Sequence, residues 1–177
     1  MPPLIPITDP KGGYGWQAQK YRTILLASAL FVSVVRAESA PAIQGTASVI
    51  DGDNIEIGGE RIRLDAIDAP ESSQLCLDAA SKRFRCGQKS AFALADMIGR
   101  SVVSCEPKGR DRYKRVIAVC FKGEINLNAW MVLQGWAVAF RKYGNDYIRE
   151  EDEARLARRG IWAGSFDMPW DWRARNR

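Results

Sequence analysis

Apolar and polar positions alternate through two early stretches of the chain, the spacing of half-buried strands. Ala47–Ile57 carries strand-forming residues interrupted by Asp51-Gly52-Asp53, and Glu60–Leu64 resumes the pattern after Gly58-Gly59. Two glycines between strand-like runs predict a two-residue hairpin turn. In that register Ile55 faces Ile62 and Glu56 lies on the other face. Asp53 then falls opposite Leu64 rather than Arg63, so bringing Asp53 and Arg63 together calls for a bulge or bend.

Further along, Phe84, Ala91, Leu94, Ala95 and Ile98 fall on one stripe and predict a helix over about Ala79–Ile98. Val102–Glu106 and Val116–Phe121 are apolar runs of strand length, joined by the polar loop Pro107–Arg115. A second helix is expected over Leu127–Gln134, stopped by Gly135, and then a short strand over Trp136–Phe140. The last helix, about Ile148–Arg159, places acids first and bases last, as the helix dipole favours. Trp130, Trp136 and Trp162 are expected in or against the core. In the tail Phe166–Arg177, the aromatics are expected to pack on the domain, and the pattern gives no role to Arg173, Arg175 or Arg177. Five strands with three helices make an α+β class, a small β-barrel with packed helices. The pattern alone leaves open an OB-like barrel or another α+β arrangement.

The N-terminal region reads differently. Lys20 and Arg22 precede Thr23–Val35, a 13-residue uncharged run followed by small residues, with Val35-Arg36-Ala37 as a cleavage pair. Thirteen residues are short for a membrane span, so residues 1–37 are expected to be an export signal, with an uncleaved anchor as the alternative. The division expected is a linker over 38–46, a barrel domain over 47–164 and a Trp/Arg-rich tail over 165–177. The protein would then be periplasmic or secreted. Removing residues 1–37 takes away four basic groups and one acidic group, lowering the formal charge from +5 to +2. A mild excess is compatible with a polyanionic substrate without demanding one.

Export accounts for the cysteines. Four in an exported chain suggest two disulfides, and no pair shows the C-x2-C spacing of a zinc site. Cys105 and Cys120 lie in the two runs read as neighbouring strands, which pairs them and leaves Cys76 with Cys86.

The chain contains no histidine. That removes Ser-His-Asp and Cys-His nucleophiles and imidazole acid–base chemistry. Proton handling then falls to carboxylates, Lys, Tyr, Cys or metal-bound water. Three segments concentrate such groups: Asp51-Gly52-Asp53-Asn54, Arg63 to Glu71 (RLDAIDAPE), and Asp111-Arg112-Tyr113-Lys114-Arg115. Asp53, Asp68 and Glu71 offer oxygen ligands only, a set for a hard cation, and an adaptable site with several waters favours Ca²⁺ over Mg²⁺. An EF-hand is excluded, because its Gly and Glu positions would be Glu56 and Ile62. Arg63, between Ile62 and Leu64, points away from the apolar face and can fork onto two phosphate oxygens. Lys108, Arg110, Arg112 and Lys114, with Tyr113 among them, resemble a basic stripe with a stacking ring for single strands. Taken singly, each of these has an ordinary reading as a turn, a solvated strand face or an exposed loop.

Together, DGDN, RLDAIDAPE and DRYKR, in that order, resemble the thermonuclease (staphylococcal nuclease) signature. QGWA at 134–137 and EARLARRGIW at 153–162 are similar to the same family. The resemblance covers Ala47–Trp162 and implies an OB-like five-stranded barrel with three helices and a nuclease cutting DNA and RNA to leave 3′-phosphates. It implies Ca²⁺ held by Asp53, Asp68 and the carbonyl of Ala69. Glu71 would orient or deprotonate water, Arg63 and Arg115 would grip the phosphate, and Tyr113 would lie against the nucleotide, with Arg112 and Lys114 beside it. Asn54 and Ala69 stand where the family often has Thr. Lys114 replaces the usual Gly of D-R-Y-G-R, and if that position has positive φ, the lysine is strained and can re-aim Arg115. The expected molecule is a monomer with no obligate protein partner, favouring single strands. The alternative is an inactive OB-type module that only binds nucleic acid or protein.

Overall fold

The computed structural model describes residues 41–142 and 144–176. The expected export segment at 23–35 lies outside them.

Strands β1 (Ile43–Val49), β2 (Asn54–Ile57) and β3 (Glu60–Leu64) open the domain as an antiparallel meander. After the two-residue β4 (Ile67–Asp68), a small hairpin of β5 (Leu75–Leu77) and β6 (Arg83–Arg85) leads into α1 (Cys86–Ile98). Strands β7 (Val102–Arg110) and β8 (Val116–Lys122) follow, with β9 (Ile125–Asn126) on the far side of β8. The chain continues through α2 (Leu127–Leu133), β10 (Val138–Ala139), α3 (Ile148–Leu156), a 3₁₀ turn (Gly160–Ala163) and α4 (Pro169–Arg175).

Five strands close into a mixed barrel. β1 pairs with both β2 and β7, β7 with β8, and a parallel β3–β8 pairing, Ile62 opposite Val116, joins the two ends. Closure removes the free sheet edges. The barrel interior is built by alternation: Ile55, Ile62, Leu64, Val103 and Ala118 are fully buried, and Leu94 and Ile98 from α1 and Leu127 and Met131 from α2 cap it. A second cluster gathers the Cys76–Cys86 disulfide, Val138 and Ile161 under Trp136, Trp162, Phe166 and Trp170.

Several expectations hold. Ile55 lies opposite Ile62, and the Leu64 amide donates to the Asp53 carbonyl at 2.8 Å. Both expected disulfides form, and Cys105 and Cys120 sit directly opposite each other on β7 and β8.

Of the bulge or bend expected to bring Asp53 to Arg63, the bend is what forms: the β2–β3 ladder runs without a shift, the chain bends over Asp51–Asp53, and the long arginine side chain covers the rest. Other expectations are corrected. The helix expected from Ala79 begins only at Cys86, because the preceding residues form the β5–β6 hairpin. Its turn is held by the Asp78 carboxylate, which accepts the amides of Ala80 and Lys82, an arrangement that competes with a helix start. Phe84 packs on the second cluster, while the buried face of α1 runs through Ser90, Leu94 and Ile98. The helix expected to Arg159 ends at Leu156, with Arg158 at φ 52°. The tail contributes a fourth helix rather than a strip of packed aromatics alone.

Candidate active site

One end of the barrel opens into a pocket of about 860 Å³ whose lining includes Asp53, Arg63, Glu71, Tyr113, Arg115 and Arg173. Asp53 stands at the bend between β1 and β2. The Asp51 carboxylate accepts the Asp53 amide at 3.0 Å and the Asn54 side-chain amide at 2.9 Å, which fixes the bend. The Asp53 carboxylate accepts from Asn54 Nδ2 at 2.6 Å and from the Ala69 amide at 3.3 Å.

Asp68 is fully buried on β4, which β10 clamps through the Val138–Asp68 pairing. Two buried polar side chains support that clamp. Asn128 donates to the Asp65 carbonyl at 2.9 Å, tying the turn after β3 to α2. Glu151 of α3 accepts the Ala139 amide at 2.7 Å. Glu71 follows in a tight turn: its amide donates to Gln74 Oε1 at 3.2 Å, and its carbonyl accepts the Gln74 amide at 2.7 Å. Gly87 lets α1 lie against this turn, since a Cβ there would collide with the Glu71 carbonyl.

Strand alternation sets Arg63. Ile62 and Leu64 fill the barrel, so Arg63 faces the pocket, where its Nη2 lies 3.5 Å from Asp53 and 3.4 Å from Asp68. Arg115 arrives from the β7–β8 loop. Its Nε donates to Asp111 at 2.8 Å, and its Nη1 donates to Asn54 Oδ1 at 2.7 Å. Asn54 therefore joins the acidic bend to the second arginine.

The loop departure noted in the sequence is real. Lys114 has φ 67°, the left-handed region, yet Arg115 remains anchored in the pocket by Asp111 and Asn54. Lys114 itself is exposed, and its carbonyl accepts from Arg110 at 2.8 Å. Tyr113 is 65% exposed at the pocket rim, with the Arg112 guanidinium 4.8 Å from its ring centre. The structure thus gathers Asp53, Ala69, Glu71, Arg63 and Arg115 at one pocket, with Tyr113 and Arg112 at its edge; Lys114 does not line it, and Asp68 is buried behind the wall, in contact with Arg63 and Arg173 that do.

Charge is strongly perturbed here. Burial pushes the Asp53 carboxyl well above the usual carboxylate range; nearby Arg63 opposes this only in part, and Asp51 and Asp68 add to it. Burial also acts to raise Asp111, but hydrogen bonds from Arg115 and from the amides of Arg115 and Tyr113 outweigh it and hold that carboxyl low. Arg173 is lowered by desolvation and raised more by its bonds to Asp68 and Glu71, so it stays charged.

This donor set fits a hard cation. All its side-chain donors are oxygens, and Asp53 is buried near Asp68 with its charge poorly compensated, which a metal ion relieves. Among the described residues no three acidic side chains converge closely enough to hold an ion by themselves. Main-chain carbonyl and water oxygens would complete a calcium-type shell.

Sequence reasoning missed three members of the site. Asp111 and Asn54 position Arg115, a role open to inference from their place in the DRYKR and DGDN motifs. Arg173 carries no such signal. It reaches the pocket from α4, with Nη1 donating to Asp68 at 3.0 Å and Glu71 at 2.8 Å, and Nη2 to Asp68 at 2.7 Å.

Comparison with known proteins gives a consistent result. The family described as "Staphylococcal nuclease homologue" matches residues 61–164. The succinoglycan biosynthesis protein ExoI of Rhizobium meliloti is 41% identical over 145 residues, 80% of this chain and 75% of that protein. An uncharacterized endonuclease of Haemophilus influenzae is 34% identical, covering 86% and 85% of the two chains. A micrococcal nuclease of Shigella flexneri is also 34% identical, over 71% and 76%.

Proposed function

The chain belongs to the staphylococcal nuclease family, and from that premise we propose that it is a calcium-dependent phosphodiesterase that cuts DNA and RNA at the pocket described above. A nuclease activity follows from the family. The observation that carries the finer reading is that Arg63, paired with the buried carboxylates of Asp53 and Asp68, lines one pocket together with Glu71 and Arg115.

Asp53, Asp68 and the Ala69 carbonyl would hold Ca²⁺, which when bound supplies positive charge beside the scissile phosphate. Glu71, held at its backbone by Gln74, orients the attacking water and accepts its proton. Arg63 and Arg115 offer planar forks to the phosphate oxygens and stabilise the charge that builds as the bond breaks. Both are preorganised, Arg63 by Asp53 and Asp68, and Arg115 by Asp111 and Asn54. The exposed Tyr113 ring, with Arg112 against it, gives a flanking base a surface to stack on and favours single strands. Two disulfides support an oxidising compartment, so the reading includes export to the periplasm or medium, and a monomer.

The test is to incubate the purified protein with single-stranded DNA and RNA, with calcium and then with excess chelator. Cleavage with calcium that stops on chelation is expected. Undiminished cleavage after exhaustive chelation overturns the calcium reading, and binding without cleavage under every condition supports an inactive module instead.

A further inference from the structure

Arg173 lies on α4, beyond the 61–164 segment that matches the family, yet it makes the shortest ion pair to Asp68. A single nitrogen, Nη1, bridges Asp68 Oδ1 at 3.0 Å and Glu71 Oε1 at 2.8 Å. The other, Nη2, takes Asp68 Oδ2 at 2.7 Å. Arg63 adds a contact to Asp68 Oδ1 at 3.4 Å. Asp68 is fully buried, so both of its oxygens are engaged by guanidinium and neither turns to bulk water.

A cation that binds Asp68 directly needs a lone pair that Arg173 now uses, and its charge would sit against a guanidinium at hydrogen-bond distance. Like charges so close in a half-buried pocket repel strongly. Arg173 and the ion therefore compete for the same carboxylate.

The exchange does not require α4 to leave. The helix is seated independently: Pro169 is buried, the Trp170 ring lies 5.7 Å from Phe140, and buried Gln74 donates to the Asp167 carbonyl at 2.7 Å just before it. The Arg173 side chain is 28% exposed at the pocket wall, so the guanidinium can swing toward solvent while its backbone stays in place.

We propose that Arg173 is a built-in counter-cation of this site, a positioning residue that holds Asp68 and Glu71 in the metal-free protein and yields Asp68 to a divalent cation. The inference rests on the reading of Asp68 as a metal ligand. It predicts an unusual direction of effect: removing a residue that contacts the site strengthens metal binding.

The experiment is calcium titration by calorimetry on metal-stripped protein without nucleic acid, comparing wild type, Arg173→Gln and Arg173→Lys. Arg173→Gln is expected to bind Ca²⁺ at least about tenfold tighter, because hydrogen bonds to a charged partner no longer have to be broken. Arg173→Lys, which keeps the charge but loses the fork, should fall between the two. The calcium-induced rise in Tm should also be larger in Arg173→Gln, since its metal-free form has lost the contact. Far-UV circular dichroism verifies folding, and Arg173→Lys carries the comparison if the glutamine variant fails to fold. Equal or weaker calcium affinity in the folded variants overturns this proposal while leaving the calcium reading intact. No calcium binding in wild type or variants overturns both.

Discussion

Lys114 offers a direct measure of strain at the pocket rim. Its φ of 67° lies in the left-handed region, which costs an L-residue about 1–2 kcal/mol. The turn cannot relax out of that conformation cheaply. The Lys114 amide donates to the Asp111 carbonyl and the Asp111 amide to the Arg115 carbonyl, both at 3.0 Å, closing the loop on either side. The Lys114 side chain is exposed, so deleting it removes no buried contact. Glycine relieves the steric cost but frees the unfolded chain, which returns about 0.5–1 kcal/mol. Lys114→Gly should therefore stabilise the protein by roughly 0.5–1 kcal/mol on balance. For a domain of this size that corresponds to a rise in Tm of roughly 1–3 °C. Urea unfolding at fixed pH, with m unchanged, is the cleaner assay. Lys114→Ala is the control: it keeps the Cβ that causes the strain, so its midpoint should stay near wild type. Arg115 is held by Asp111 and Asn54, so cleavage by Lys114→Gly should be undiminished. A lower urea midpoint in Lys114→Gly, or an equal gain in Lys114→Ala, would refute the strain argument.

Arg63→Lys keeps a positive charge but not the planar fork, so turnover on single-stranded DNA should fall about a hundredfold while affinity changes much less; a wild-type rate would make Arg63 a solvated strand residue. The Asp111 carboxyl is held low in the folded state, so its contribution to stability is present above its ordinary pKa and lost as pH falls through the depressed value. Acid titration of stability should therefore flatten in Asp111→Asn, and an unchanged acid limb relative to wild type would contradict the hydrogen bonds assigned to it. Replacing Cys105 and Cys120 together by Ala should cost roughly 3 kcal/mol in urea unfolding, for a cross-link spanning 15 residues; a loss below about 1 kcal/mol would show that the unfolded chain is already constrained there.

What was legible in the sequence follows from how local each signal is. The Gly58-Gly59 turn fixes the β2–β3 register, and from it come the Ile55–Ile62 pair and the outward face of Arg63. The cysteine pairing followed from recognising two neighbouring strands. Acidic and basic motifs converge as their resemblance implied because the barrel brings β2, β3 and β8 side by side. The start of α1 was misplaced because residues before Cys86 continue a helical stripe, while Asp78 and the Cys76–Cys86 bridge enforce a hairpin. Arg173 was invisible for a different reason. It stands 105 residues from Asp68, in a tail where nearby Arg175 faces solvent, and only the docking of α4 aims it inward.

Under the calcium reading proposed above, a divalent ion has to displace the salt bridge that this docking creates, and the charges around it say what favours the exchange. Three carboxylates, Asp53, Asp68 and Glu71, share two guanidinium groups, those of Arg63 and Arg173. Arg115 does not close the gap, since Asp111 already neutralises it. One carboxylate is left uncompensated, and it is Asp53, buried beside Asp51 and Asp68, whose carboxyl is pushed up. Exchanging Arg173 for a dication adds one positive charge among these three groups and balances them. A monovalent ion would replace one charge with another of the same size and bring no such gain. The imbalance therefore favours the dication over both the tethered arginine and the sodium and potassium in solution, and the direct tie to Asp68 sets how much of that advantage is spent on release.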